Sequence, residues 1–251
     1  MIREWGGWLV MGWLVGCGGS GGEMPGPSDA GPGDTPRLTV DFDDGTFGPL
    51  VRSYGPNDNP QQADPRFTVE VSDGQARYLA PAAGVGPRLT GFLDLPADRV
   101  PITTPLTHAW TFPQVSELLA LGGAQGTGVA IAGCYIRGEM GHWVGGSFGD
   151  YWFGFVRSGG TRVSAIRQGN TNLVTEPFTA TQSVSYRIEK NARTLRLFAR
   201  YDAGEWHAVG QPVTLALNAG GSDAVAVTHV RILDTSGTAM SVTADDFQWK
   251  W

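Results

Sequence analysis

The sequence predicts an all-β protein, a two-sheet antiparallel β-sandwich, and three observations carry that prediction. Glycine accounts for 37 of 251 residues, about twice the ~7% of an average chain, which disfavours a helical bundle. From Leu38 onward, short runs of alternating apolar and polar residues are separated by Gly, Pro, Asn and Asp, the residues that set turns. Between Leu38 and Trp251 a single helical turn is legible, at Val115-Ser-Glu-Leu-Leu, so there is no βαβ alternation and no parallel sheet to build.

Taken in order, Met1 to Gly16 holds one basic residue, Arg3, followed by an apolar run from Trp5 to Val15. That run is shorter than the ~20 residues needed to span a bilayer and reads as an export signal. It ends in Leu14-Val15-Gly16-Cys17, which resembles the lipobox of bacterial lipoproteins. The resemblance implies that the Cys17 thiol takes a diacylglycerol and that the mature chain carries fatty-acyl groups such as palmitate. More than one chain gives stable anchoring where one would be marginal. Gly18 stands where an Asp would signal inner-membrane retention, so the expected address is the bacterial outer membrane. Residues 18–36 contain seven Gly, four Pro and two Ser and no aromatic. With Cys17 they form a flexible tether that cannot bury a core. The expected organisation is therefore signal peptide 1–16, lipidated tether 17–36 and sandwich domain 37–251.

Strands are expected at 38–42, 67–71, 75–79, 88–94, 106–112, 128–137, 150–157, 161–168, 212–217, 224–233 and 240–249. The clearest pair follows Ser183. Val184, Tyr186 and Ile188 share one face and Ser185, Arg187 and Glu189 the other. After Asn191-Ala-Arg the pattern returns, with Leu195, Leu197, Ala199 and Tyr201 inward and Arg196, Phe198 and Arg200 outward. Two such runs across a short polar turn make a hairpin. Asp202-Ala-Gly-Glu then turns into a short strand at Trp206-His-Ala-Val.

The run Tyr186 to Gly210, with its Asp202-Ala-Gly-Glu-Trp206 turn, resembles the late hairpin of concanavalin A-like jelly rolls of the lectin, laminin-G and glucanase kind. Ser241-Val-Thr-Ala-Asp-Asp-Phe-Gln-Trp is similar to their closing strand and Val40-Asp-Phe-Asp-Asp-Gly to their opening one. These cues cover the edges and last third of the domain, and they imply architecture before activity.

Composition narrows the partners. Charged residues are 17% of the chain and the formal net charge is -6, and removing residues 1–16 leaves 17 basic and 23 acidic groups. No run of Lys and Arg offers a phosphate backbone its electrostatic footprint, so nucleic acid is not an expected partner. Cys134, the one cysteine besides Cys17, lies in the apolar run Val129-Ala-Ile-Ala-Gly-Cys-Tyr-Ile and is expected to be a buried thiol. No Cys-x-x-Cys spacing offers zinc a site.

Catalytic motifs are thin. Retaining glucanases of the jelly-roll kind set carboxylates on one strand face as Glu-x-Asp-x-x-Glu, and that string does not occur. Glu70/Asp73 and Asp202/Glu205 abut Gly turns, where Asp serves turn geometry. Jelly-roll lyases use Arg, His and Tyr, and the chain has His108, His142, His207 and His229 with Arg157, Arg162 and Arg167, without a lyase motif. Gly145-Gly-Ser-Phe-Gly149 has the spacing of a nucleophile elbow but no strand-to-helix context. Asp41, Asp43, Asp44, Asp245 and Asp246 would meet if the first and last strands are neighbours, and could then hold a structural Ca²⁺ or serve only as turns.

The densest aromatic stretch runs from His142 to Phe155. In a strand there, Tyr151, Phe153 and Phe155 oppose Trp152, and both faces can be buried only if the strand is central. By analogy with sandwich lectins, which stack sugars on aromatic rings and bond their hydroxyls to polar side chains, the candidate ligand-binding residues are Trp143, Asp150, Trp152 and Arg167. The expected function is non-catalytic binding of a polysaccharide, glycoconjugate or envelope polymer by a lipid-anchored protein. A glycan hydrolase or lyase on the same fold, and a structural envelope protein, are the alternatives.

The lipobox yields a direct expectation. Cys17→Ser abolishes acylation and moves the protein from the membrane fraction to the soluble one; persistence in membranes after a high-salt wash would refute the lipid anchor.

Overall fold

The computed structural model describes residues 37–54, 68–82, 89–101, 103–123, 129–138, 150–215, 224–234 and 236–250. Within them the first half of the chain forms β1 (Arg37–Val40), β2 (Val51–Tyr54), β3 (Thr68–Ser72), β4 (Gln75–Ala80), β5 (Leu89–Pro101), β6 (Leu106–Phe112), the helix α1 (Val115–Ala120) and β7 (Val129–Gly138). The second half forms β8 (Asp150–Ser158), β9 (Thr161–Gln168), β10 (Thr171–Pro177), β11 (Val184–Asn191), β12 (Thr194–Tyr201), β13 (His207–Ala208), β14 (Val213–Thr214), β15 (Ala224–Asp234) and β16 (Met240–Lys250).

These strands make two antiparallel sheets. One has nine strands in the order β13-β12-β11-β6-β16-β4-β3, with β1 also on β16 and β14 also on β12; the other has seven, β10-β9-β8-β7-β15-β5-β2. Sheets of this kind bury one face each against the other. Trp110, Tyr186 and Phe247 from the larger sheet meet Cys134, Phe153, Phe155 and Ile166 from the smaller in one cluster. Burying each such aromatic contributes roughly 1.5–3 kcal/mol. Cys134 is a fully buried thiol outside any disulfide, as its apolar segment predicts.

Local sequence explains most of these elements. The β11–β12 hairpin has the predicted register, Tyr186 opposite Ala199 and Ile188 opposite Leu197, and the predicted inward residues are buried, apart from the half-buried Tyr201 at the strand end. Asp73 and Gly74, at φ 54° and 71°, form the two-residue loop between β3 and β4, the backbone that an Asp-Gly pair favours. Asp202 serves the turn after β12. Its carboxylate accepts hydrogen bonds from the backbone N–H groups of Thr181, Gln182 and Ser183 and from the Thr181 hydroxyl. Those donors hold its pKa down to about 2.

Two strands were not legible. The strand β10 carries a bulge between Asn172 and Val174 that breaks its alternation, and it ends in Pro177, both marks of a sheet edge. The four-residue β2 is too short for periodicity to register. The first strand ends earlier than expected, at Val40, because Phe42 turns to φ 60° to bring its ring 5.1 Å from Phe247. Within the expected strand 212–217, Val213–Thr214 is a strand, and 216–217 lie outside the described residues.

His108 shows how complete the core is. Its ring lies 4.6 Å from Trp249 and 5.0 Å from Trp110, stacked on both, and neutral Nδ1–H donates to the Gln248 carbonyl at 3.0 Å. Burial lowers its pKa from 6.5 to about 3. The unfolded chain therefore takes up a proton that the folded one refuses, and stability falls as pH drops from about 6.5 toward 3. The difference in melting temperature between wild type and His108→Phe, followed from pH 7 to pH 4, should shift steadily toward the variant; a pH-independent difference would refute a neutral buried imidazole.

Candidate functional site

The outer face of the seven-stranded sheet contains two of the predicted ligand residues. Along β8, Tyr151, Phe153 and Phe155 point into the inter-sheet core, so Trp152 and Val156 lie on the opposite face. Register sets Trp152 opposite Arg167 on β9 and opposite Tyr135 on β7. The adjacent rungs on this face are Gly133–Gly154–Ala165 and Ile131–Val156–Val163. A Cβ on Gly133 would overlap the Phe153 carbonyl oxygen, and one on Gly154 would come within 2.6 Å of the Ala132 carbonyl. Only glycine permits β7 and β8 to approach so closely.

Trp152 is buried to 8% exposure, in a second apolar cluster with Ile131, Val156 and Ala165. This covers both faces of β8, the condition that a central strand meets. The ring expected to stack on a sugar is thus a packing element. Arg167 is buried beside it, and burial lowers its pKa. Its Nε donates to the Gly169 carbonyl (2.9 Å), Nη1 to Asn172 Oδ1 (3.1 Å) and Nη2 to Asn170 Oδ1 (3.4 Å). The guanidinium is a clamp for the β9–β10 turn. That turn displays Asn170, Thr171 and Asn172, all exposed, and Leu173, the one large apolar side chain exposed among the described residues, at 42%. The signal in the sequence was the Gly169-Asn170 pair; the bulge that pushes Leu173 out of the ladder was not legible. Asp150 begins β8 opposite Arg137. Trp143 and Cys17 lie outside the described residues.

The predicted aspartates are partly gathered. Pairing of β1 with β16 places Val40 opposite Phe247 and brings the first and last strands together. Burial, then the charges of Asp246 and Asp43, raise the pKa of Asp245, while Gln75 donates to its Oδ2 at 3.2 Å. Asp44 accepts from the Thr46 N–H (2.8 Å) and hydroxyl (2.7 Å), and Asp41 from the Asp43 N–H. Among the described residues no three His, Cys, Asp or Glu side chains converge as a metal cage requires. Asp41, Asp44 and Asp245 act as loop and bulge acceptors.

A polar network joins the sheets at one edge. Ser164 Oγ on β9 bonds to the hydroxyls of Tyr186 (2.8 Å) and Tyr201 (2.6 Å) across the core. Tyr201 packs edge-on against His207, whose Nε2 meets Glu176 Oε1 at 2.7 Å. Burial raises the pKa of both phenols well above the usual value, so each is held protonated and is poorly suited to abstract a proton. Of the other lyase-type residues, His108 is in the core and Arg157 Nη1 donates to the Leu119 and Leu121 carbonyls at the end of α1, while His142 and the side chain of His229 lie outside what is described.

No family model matches the sequence, and no curated protein sequence does. Solved structures do match. Peanut lectin in complex with a nonapeptide aligns at TM-score 0.55 and 12% identity, covering 86% of this chain and 98% of that one. Lectin II from Ulex europaeus aligns at 0.54 and 10% identity, covering 85% and 97%. A functionally unknown protein from Saccharomyces cerevisiae aligns at 0.51 and 13% identity, covering 80% and 96%. At such identities the likeness establishes the fold, a concanavalin A-like jelly roll, and nothing finer.

Because Trp152 is buried, Trp152→Ala should lower folding stability by roughly 3–5 kcal/mol, read as the midpoint of denaturant unfolding. A variant of wild-type stability would place the ring back at the surface.

Proposed function

We propose that this concanavalin A-like sandwich binds a glycan or envelope polymer without chemistry, and that lipid on Cys17 holds it on the bacterial outer membrane. The observation that carries the binding reading is the β9–β10 turn. Arg167 fixes Asn170 and Asn172, and Leu173 stands exposed next to Asn172. An aliphatic contact beside side-chain amides suits a sugar, which offers C–H faces and hydroxyls together. Rigid placement by a buried guanidinium reduces the ordering cost of binding.

The non-catalytic reading is supported by what the acidic side chains do. Asp202 holds three backbone amides, Glu117 accepts from the Thr243 N–H at 2.6 Å, and Asp234 accepts from the N–H groups of Gly122 and Ser236. Each carboxylate is committed to the fold. Glu176, paired with His207, is the acid best placed for a catalytic alternative.

In a glycan-array screen of the full chain carrying Cys17→Ser, a polysaccharide should be retained, and Leu173→Asp should weaken that retention without changing the melting temperature. Release of reducing ends or unsaturated products, lost in Glu176→Gln, would overturn the non-catalytic reading.

A further inference from the structure

The outer face of the nine-stranded sheet carries a different arrangement. Along β12, Arg196, Phe198 and Arg200 alternate with the core residues Leu195, Leu197 and Ala199. Register sets Arg187 of β11 opposite Phe198, and Ser185 opposite Arg200. Trp206, just past the Asp202 turn, lies against this row. The Arg187 guanidinium carbon is 4.6 Å from the Phe198 centroid and 4.9 Å from that of Trp206, and the Arg200 carbon is 5.0 Å from Trp206.

Contacts of this kind occupy the flat face of a guanidinium and leave its N–H groups free in the plane. Arg187 Nε meets Glu189 at 3.1 Å and Arg200 Nη2 donates to Ser185 Oγ at 3.1 Å, while Arg196 is exposed and makes no ion pair or hydrogen bond among the described residues. Glu189 is the one carboxylate that contacts this set among the described residues, so the platform is locally cationic on a chain of net charge -6. Beside Arg196 a groove of about 200 Å³ is lined by Leu197, Ala208, Val209, Gln211 and Pro212. Arg196 and Arg200 are four residues apart on one strand, about 13 Å at a rise of ~3.3 Å per residue. One phosphate or sulfate cannot bridge that span, whereas an extended polyanion can.

We propose that this face binds an acidic polysaccharide, with carboxylates paired to Arg196 and Arg200 and a sugar ring in the groove beside Arg196. The inference rests on the glycan-binding reading above but uses a separate surface. The rings are positioning elements for Arg200 and Arg187: Trp206 lies against both guanidiniums and Phe198 against Arg187, so Arg200 is held in place for pairing with a carboxylate while Arg196 is the exposed second point. A nucleic acid, with its dense and regular run of phosphates, would need a longer cationic array than Arg196 and Arg200.

The test uses the full chain with Cys17→Ser on immobilised polygalacturonate, on the same polymer fully methyl-esterified, and with phosphatidylglycerol vesicles. Wild type should be retained on the acid and not on the ester, and retention should weaken as salt rises. Arg196→Gln/Arg200→Gln should reduce retention roughly tenfold, the sum of two exposed charge pairs, and Trp206→Ala should reduce it less. Circular dichroism establishes that the variants are folded. Equal retention on acid and ester, unchanged retention of the double variant, or binding to vesicles alone would overturn the proposal. Loss of polygalacturonate binding in Leu173→Asp with the arginine variant unaffected would overturn it and leave the glycan reading standing. Failure of wild type to bind any glycan would overturn both.

Discussion

The last strand in the sequence occupies the middle of the larger sheet, and the rest of the fold depends on that pairing. Along one edge β16 pairs with β6; along the other its first half pairs with β4, from Met240 to Ala244, and its second half with β1, from Phe247 to Lys250. Partners change at a bulge between Asp245 and Gln248, where Asp246 adopts φ 54°. A bulge re-aims a strand and increases its twist, which lets one strand serve two neighbours. Aspartate tolerates that backbone better than most residues. The acidic residues at the two chain ends thus have a mechanical reason to be there. Pairings this distant in sequence form late and slowly, so the nine-stranded sheet is complete only once the C-terminal residues are available.

Polar groups inside the sandwich fix how the sheets meet. Apolar packing is tolerant of small sliding movements, whereas a buried hydroxyl needs a partner at one distance and angle. Ser164 satisfies two tyrosines from the opposite sheet with one oxygen, which sets the offset of β9 over β11 and β12. Arg157 does the same for α1 by reaching the carbonyls of Leu119 and Leu121. Asp202 fastens the connection into β11 through three amides. Packing supplies most of the stability, and these groups select one arrangement among several of similar apolar burial.

The two outer faces differ in kind. On the smaller sheet, glycine contact between β7 and β8 and the apolar cluster around Trp152 make an apolar patch on the described part of the outer face, beside the Arg167-clamped turn. On the larger sheet, β11 and β12 present arginines, small hydroxyl residues and two rings. Alternation along a strand is indifferent to which residues occupy the outward positions, so the two faces can take up separate roles while one core serves both.

Much of this was determined by the sequence alone, because the interactions concerned are local. Alternation of Val184, Tyr186 and Ile188 with Leu195, Leu197 and Ala199 defined a hairpin and its register, and Asp-Gly at 73–74 defined a turn. The glycine content and the lack of helical periods defined an all-β sandwich. Tertiary structure decided what local pattern cannot express. Trp152 reads as an available ring until Ile131, Val156 and Ala165 from β7, β8 and β9 pack around it on the outer face. Arg167 reads as a ligand donor until its turn takes all three nitrogens. Arg187, Phe198 and Arg200 were legible as outward residues, but their stacking on Trp206 required the Asp202 turn to fold back. Periodicity reports which face of a strand a residue occupies; whether that face meets water, another layer or a neighbouring loop depends on contacts between residues far apart in the chain, and these exist only once the sheets have assembled.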